Sequence, residues 1–183
     1  MNPSYLRMRR PLEDAMARYN AWIGGRALAA FPEVTDTEAI DLALENPVTP
    51  THIALASLPW NWRGLAVLVY AVGPWTVFQE ISGGLGGRPT EDWLQLADGG
   101  DLVFAGYNDA IGYGELVQIE HGQLVRHFRH DDQDPSAYAD VGRLPEEVKE
   151  NFSDWTDVAK WVDVDDERYA RYRGLLWIHQ VDG

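Results

Sequence analysis

The sequence contains no cysteine among its 183 residues. This absence excludes disulfide bonds, thiolate metal sites and cysteine nucleophiles together. Long hydrophobic segments are absent too: the longest apolar run, Leu65 to Val72, has eight residues, whereas a membrane-spanning helix needs roughly 20. Arginines near the N-terminus are not followed by an apolar segment, as they would be in a signal peptide. We therefore expect a cytoplasmic protein that does not bind membranes.

Positive charge is also scarce. Fifteen Lys and Arg residues stand against 29 Asp and Glu residues, which gives a formal net charge of −14. Nucleic acids and anionic lipids are both bound through basic side chains, so we expect neither as a partner. The acidity is concentrated in residues 131–167, which hold thirteen acidic and three basic residues, whereas residues 1–30 hold five Arg and two acidic residues.

The composition otherwise indicates an ordinary folded chain. The apolar fraction is 45%, which is close to the globular average, and the length favours one domain over residues 1–183. This domain divides into a helical N-terminal part (about 1–63), a sheet-rich part (about 64–130) and a helical, acidic C-terminal part (about 131–183). Strands joined by hairpins indicate antiparallel pairing. The sequence therefore predicts an α+β fold, a mainly antiparallel sheet with helices packed on one face.

Hydrophobic periodicity and turn residues predict the individual elements. Thr90 and Ser153 are predicted helix caps, and His121-Gly122 is predicted to be a two-residue hairpin turn because Gly accepts a positive φ. Predicted helices cover residues 11–30, 35–46, 90–97, a segment from 145 and residues 154–162. Predicted strands cover residues 65–72, 75–81, 102–107, 114–120 and 123–130, with polar loop over 131–143 and a last apolar element over 175–181.

Three motifs resemble ligand or metal sites, and none satisfies the chemistry. The Gly-rich segment 83–88 lies between a strand and a helix, as a phosphate loop would, but it lacks the following Lys, so we interpret it as a turn. His127 and His130 point to opposite faces of a strand. The acidic run from Asp163 lacks the Gly and Glu of an EF-hand loop. We therefore predict no cofactor and no metal.

No catalytic residue is predicted, because no serine lies in a nucleophile-elbow motif and no carboxylate pair stands out by its spacing. Asn108-Asp109 follow a predicted strand, where functional groups often lie. We favour the interpretation that they form a turn through the Asn side chain.

Residues 73–128 combine several features: a strand that opens with Trp75, a short helix with Trp93, a strand that ends in Asn108, and the hairpin His-Gly-Gln-Leu-Val-Arg-His-Phe128. The combination resembles small α+β proteins of bacterial polymorphic-toxin and secretion-system loci, among them immunity-like proteins. The resemblance implies a cytoplasmic, non-catalytic protein that binds and neutralises a cognate toxin. Its motifs are structural, so it implies no active-site residues.

The resemblance also implies a basic partner, since many such toxins attack nucleic acids through basic clefts. An acidic surface would attract such a cleft and accelerate association. The candidate partner-binding residues are Asp131, Asp132, Asp134, Asp163, Asp165, Asp166 and Glu167.

Two alternatives remain open. The first is a small-molecule-binding domain or enzyme with a pocket on the sheet, in which Asn108, Asp109, Arg126 or His127 would supply polar contacts. The second is a structural accessory protein of a secretion system, which would self-associate.

Overall fold

The computed structural model describes residues 4–23, 65–80, 85–144, 152–162 and 175–179. The strands are β1 (Ser4–Met8), β2 (Leu65–Val72), β3 (Trp75–Glu80), β4 (Leu102–Asn108), β5 (Tyr113–Glu120), β6 (Gln123–Asp131), β7 (Ala139–Gly142) and β8 (Leu175–His179). The helices are α1 (Leu12–Trp22), α2 (Thr90–Ala97) and α3 (Trp155–Val162), with a short 3₁₀ turn at Pro135–Ala137. The predicted helices over 35–46 and from residue 145 lie outside the described residues.

One sheet contains all eight described strands, in the order β7-β6-β5-β4-β1-β3-β2-β8. Every neighbouring pair is antiparallel. This arrangement confirms the predicted α+β fold with an antiparallel sheet. The β5–β6 hairpin also turns as predicted, with φ values of 49° at His121 and 73° at Gly122.

The centre of the sheet is a strand that the sequence did not reveal. β1 pairs with β3 on one side and with β4 on the other, and Leu6 lies opposite Phe78 and Phe104. The predicted helical N-terminal part (about 1–63) omits this strand. Five residues are too few for a clear alternation, and both pairing partners lie more than 60 residues away in the sequence. The helix predicted over 11–30 is observed as α1, and residues 24–30 lie outside the described ranges.

Helices cover both faces of the sheet, which corrects the prediction that they pack on one face. Successive residues of a strand point to opposite faces. On face one, α1 and α2 pack on a cluster that includes Leu6, Met8, Tyr19, Phe78, Trp93, Phe104 and Val117. On face two, Val158 of α3 packs on a cluster that includes Tyr5, Ala105, Leu116 and Phe128.

A glycine brings α3 close to face two. A Cβ atom on Gly114 of β5 would lie only 2.7 Å from the Cα atom of Trp155, which is closer than real Cβ atoms approach. The Trp155 ring also stacks on Tyr107, with 6.2 Å between the ring centroids. The helix therefore packs against the strand backbone itself at this point.

Candidate functional site

The predicted acidic site begins in the loop after β6. Asp132 and Asp134 are exposed there, whereas the side chain of Asp131 is only 13% exposed. The Asp131 carboxylate accepts hydrogen bonds from the backbone N–H groups of Gln133, at 3.0 Å, and Asp134, at 3.2 Å. Asp131 therefore shapes the loop, and Asp132 and Asp134 present its charge.

The remaining predicted partner-binding residues are Asp163, Asp165, Asp166 and Glu167, which lie outside the described residues. The structure therefore places Asp131 at the end of β6, with Asp132 and Asp134 in the loop that follows.

Exposed apolar side chains follow the acidic loop. Tyr138 is 52% exposed and Val141 is 51% exposed, and both belong to the segment that forms β7. We call the set Asp132, Asp134, Tyr138 and Val141 the acidic edge, because β7 is the last strand in the described sheet order. The prediction of a polar loop over 131–143 missed β7, because a four-residue strand is defined by its pairing with β6.

A buried arginine attaches β7 to face two. The Arg126 side chain is fully buried, and its Nη1 donates to Oδ1 of Asp140 at 2.8 Å and to the carbonyl of Val141 at 3.1 Å. Burial raises the pKa of Asp140, but hydrogen bonds from Arg143 and Arg126 outweigh this effect and hold the pKa below its usual value. Arg126 therefore has a structural role in anchoring the edge strand.

A second polar cluster lies beneath α2 on face one. Glu115 is fully buried and His127 is 4% exposed. Nε2 of His127 lies 3.1 Å from Oε1 of Glu115, and Nδ1 lies 2.8 Å from Oγ1 of Thr90. Because a carboxylate accepts hydrogen bonds, we assign the ring proton to Nε2, and the Thr90 hydroxyl then donates to Nδ1.

The other oxygen of Glu115 holds the Gly-rich segment. Oε2 accepts a hydrogen bond from the backbone N–H of Gly87 at 2.6 Å and another from the Tyr113 hydroxyl. A Cβ atom on Gly86 would lie 2.1 Å from that hydroxyl, so the close approach requires glycine. Burial, together with the charge of Glu115, raises the pKa of Tyr113 well above its usual value, so the phenol remains a donor.

The Gly-rich segment folds against this buried cluster. The amide of Gly87 is occupied by a protein carboxylate, which supports the interpretation of the Gly-rich segment as a turn; its residues 83 and 84 lie outside the described ranges.

The prediction of Thr90 as a helix cap is wrong, since Pro89 occupies the N-cap position without a side-chain cap and the Thr90 hydroxyl contacts His127. The hydroxyl–imidazole–carboxylate order is that of an activated nucleophile.

Asn108 forms the turn that we favoured from the sequence. Its side-chain oxygen accepts a hydrogen bond from the backbone N–H of Ala110 at 3.1 Å. Its backbone carbonyl accepts from Ile111 at 3.3 Å. Ile111, at the tip of this β4–β5 turn, is 41% exposed.

The opposite end of the sheet carries basic residues. A cleft of about 420 Å³ is lined by Arg9, Arg10, Pro11, Leu12, Ala71, Gly73, Pro74, Trp75 and Thr76. Arg9 pairs with Asp101 at 3.2 Å, and Arg10 donates to the carbonyls of Ala97, at 2.7 Å, and Asp98, at 2.8 Å, at the end of α2. These arginines therefore stabilise the fold, and Arg10 complements the negative end of the helix dipole.

None of the described helices is long and apolar enough to cross a membrane. The described part of the chain also contains no group of three or more side chains placed to hold a metal ion.

No protein-family model, no curated protein and no solved structure matches the chain.

Proposed function

We propose that this protein is a non-catalytic binding protein that holds a basic protein partner against its acidic edge. The observation that carries this proposal is that exposed carboxylates, at Asp132 and Asp134, and two half-exposed apolar side chains, at Tyr138 and Val141, follow one another in the short segment that leads from β6 into β7. Protein interfaces combine apolar anchors, among which Tyr is enriched, with a polar rim that excludes water. The carboxylates select the charge of the partner, and the apolar side chains supply contact area.

Two polar side chains of the sheet are bonded within the protein, which favours a protein-binding function over a small-molecule site or an enzyme. Arg126 and His127, which a pocket on the sheet would use, are buried and bonded to other side chains. The resemblance of residues 73–128 to immunity-like proteins specifies the proposal further. The partner is a bacterial toxin that this protein neutralises in the cytoplasm, and Asp163, Asp165, Asp166 and Glu167 are further candidate contacts because of their charge.

A charge-reversal experiment tests this function. The immobilised protein captures partners from a lysate of its host, and the captured protein is then purified and titrated against wild type and the variant Asp132→Lys/Asp134→Lys. We expect a 1:1 complex that the variant weakens at least about tenfold, or about 1.4 kcal/mol. Raising NaCl from about 50 to about 500 mM should weaken the wild-type complex as well, because salt screens exposed charges.

The matched control is Glu13→Lys/Glu120→Lys, which changes the net charge equally at two exposed positions near the opposite end of the sheet. This control should change the dissociation constant less than about threefold, since its charges lie outside the contact. Equal effects of the two double variants, or no 1:1 complex with a basic protein, would contradict the proposal.

A second candidate function rests on the order Thr90–His127–Glu115. In a hydrolase of this kind, the Thr90 oxygen would attack the carbonyl carbon of an ester while its proton passes to Nδ1 of His127. The tetrahedral intermediate would then expel the alcohol, which regains the proton, and water would release the acyl group.

The test measures the hydrolysis of p-nitrophenyl acetate by wild type, by Thr90→Ala and by the control Thr156→Ala. An acetyl adduct on Thr90 and product release lost in Thr90→Ala alone support this function, and equal rates in all three exclude it.

A further inference from the structure

We infer that the basic partner binds as an additional β-strand along the outer edge of β7, an inference that rests on the proposed function. β7 pairs with β6 on one side and is the terminal strand of the described order. An edge strand presents backbone N–H and C=O groups that an extended segment of another chain can pair with. The occupant is therefore an extended basic segment of the partner protein.

β7 is short and contains Asp140, but it lacks two of the residue types that most often protect an edge. Its residues are Ala-Asp-Val-Gly, with none of the Lys or Pro residues that block strand addition in many proteins. Val141, on the face-one side of the strand, is 51% exposed, and Tyr138, just before the strand, is 52% exposed. Val141 would pack against the face-one residues of an added strand, and Tyr138, whose ring lies edge-on to Phe128 of face two, would contact its face-two residues.

The edge is also held in place before any partner arrives. Arg126 bonds to Asp140 and to the carbonyl of Val141 from the inner side. A Cβ atom on Gly142 would lie 1.9 Å from the carbonyl oxygen of Val125, so β7 lies directly against β6. A preformed edge binds without the entropy cost of ordering a loop.

The charges around β7 determine what kind of strand fits. Residues 129–143 contain four Asp and two Arg. Both arginines already contact carboxylates, since Arg143 bonds to Asp140 and Arg129 lies 3.7 Å from Asp131. The exposed carboxylates of Asp132 and Asp134 then favour Lys or Arg in the added strand, with apolar residues placed beside Val141.

The probe is a capped peptide of alternating Lys and Val residues, compared with two versions of it that are N-methylated on alternate amides. In an extended peptide, alternate N–H groups point to opposite edges, so each methylated version blocks one edge while charge and side chains stay the same. We expect one methylated peptide to lose at least about tenfold in affinity and the other to bind within about threefold of the parent. Hydrogen exchange at residues 139–142 should slow in the complex.

The protein variants are Val141→Lys and its control Gln123→Lys, which makes the same change of charge at an exposed residue at the other end of β6. Lys on the edge should weaken binding of the parent peptide at least about tenfold, by repelling the added strand, and Gln123→Lys should change it less than about threefold. Equal loss in both variants would contradict strand addition.

The outcomes separate this inference from the function on which it rests. If both methylated peptides bind like the parent while Asp132→Lys/Asp134→Lys abolishes binding, the acidic edge is the binding surface but strand addition is wrong. If the parent peptide binds equally to wild type and to the charge-reversed variant, acidic recognition itself fails.

Discussion

Glu115 offers the sharpest test of the interior, because one buried carboxylate accepts three hydrogen bonds. Glu115→Ala removes the acceptor for the His127 ring N–H, the Gly87 amide and the Tyr113 hydroxyl. A buried donor left without an acceptor costs about 1–3 kcal/mol. His127 is 4% exposed and bears the full cost, whereas Gly87 is exposed and can regain water. We expect a loss of about 3–4 kcal/mol in the free energy of unfolding.

Glu115→Gln keeps the shape of the side chain and changes the direction of one hydrogen bond. The amide oxygen would take the place of Oε2, where two donors converge, and the amide NH₂ would face His127. Nε2 of His127 must then accept, so the ring proton moves to Nδ1 and is donated to Thr90. We expect a cost of only about 1 kcal/mol, since neutral bonds replace charge-assisted ones, together with a change of tautomer.

Urea unfolding curves measure the free energies, and ¹⁵N NMR of the imidazole nitrogens identifies the tautomer at neutral pH. The same substitutions at the exposed Glu120 are the matched control and should stay within about 0.5 kcal/mol of wild type. The reasoning is refuted if Gln at position 115 destabilises as much as Ala, or if the His127 tautomer is the same in wild type and Glu115→Gln.

Three further predictions address other contacts. Gly114→Ala should destabilise by about 1–3 kcal/mol, because its Cβ would press on the backbone of Trp155, and near-ultraviolet circular dichroism should report the shift of that ring. Asp140→Asn should lower the free energy of unfolding by about 1–3 kcal/mol, because it weakens the partner of buried Arg126. Folding lowers the pKa of Asp140, so its carboxylate stabilises the fold when ionised and loses this effect as acid protonates it; the difference between variant and wild type in urea melts should therefore shrink in acid. The raised pKa of Tyr113 keeps its phenol protonated in the folded state, whereas the phenol of the unfolded chain ionises above about pH 10. Wild type should therefore lose stability above about pH 10 relative to Tyr113→Phe, by up to about 1.4 kcal/mol per pH unit. A constant difference in the free energy of unfolding from pH 8 to 11 would contradict this.

Elements with strong local signals were predictable from the sequence. The predicted strand over 65–72 and the helix over 90–97 match β2 and α2, and the His121-Gly122 turn adopts the expected positive φ values. β1 and β7 were not predictable, because strands of five and four residues carry little periodicity and depend on partners elsewhere in the chain. The alternation of apolar and polar residues along the strands also did not predict that α3 packs on face two.

The candidate site divides in the same way. An alternating pattern does not distinguish buried Glu115 from an exposed glutamate, because its partners at Gly87 and His127 come from other segments of the chain. The acidic loop, in contrast, was visible in the sequence as a concentration of Asp after residue 130. Its apolar neighbours became part of a surface only when β7 paired with β6 and left Tyr138 and Val141 exposed.

The sequence by itself determined the absence of thiol chemistry, the net charge of −14 and the positions of the helices, strands and hairpin that carry strong local patterns. Those properties depend on composition or on neighbours a few residues apart. Tertiary structure alone decided which strand lies at the centre, which of the described side chains are buried and which strands end the described sheet. Such properties depend on contacts between distant residues, as when Glu115 holds an amide 28 residues away and His127 a hydroxyl 37 residues away.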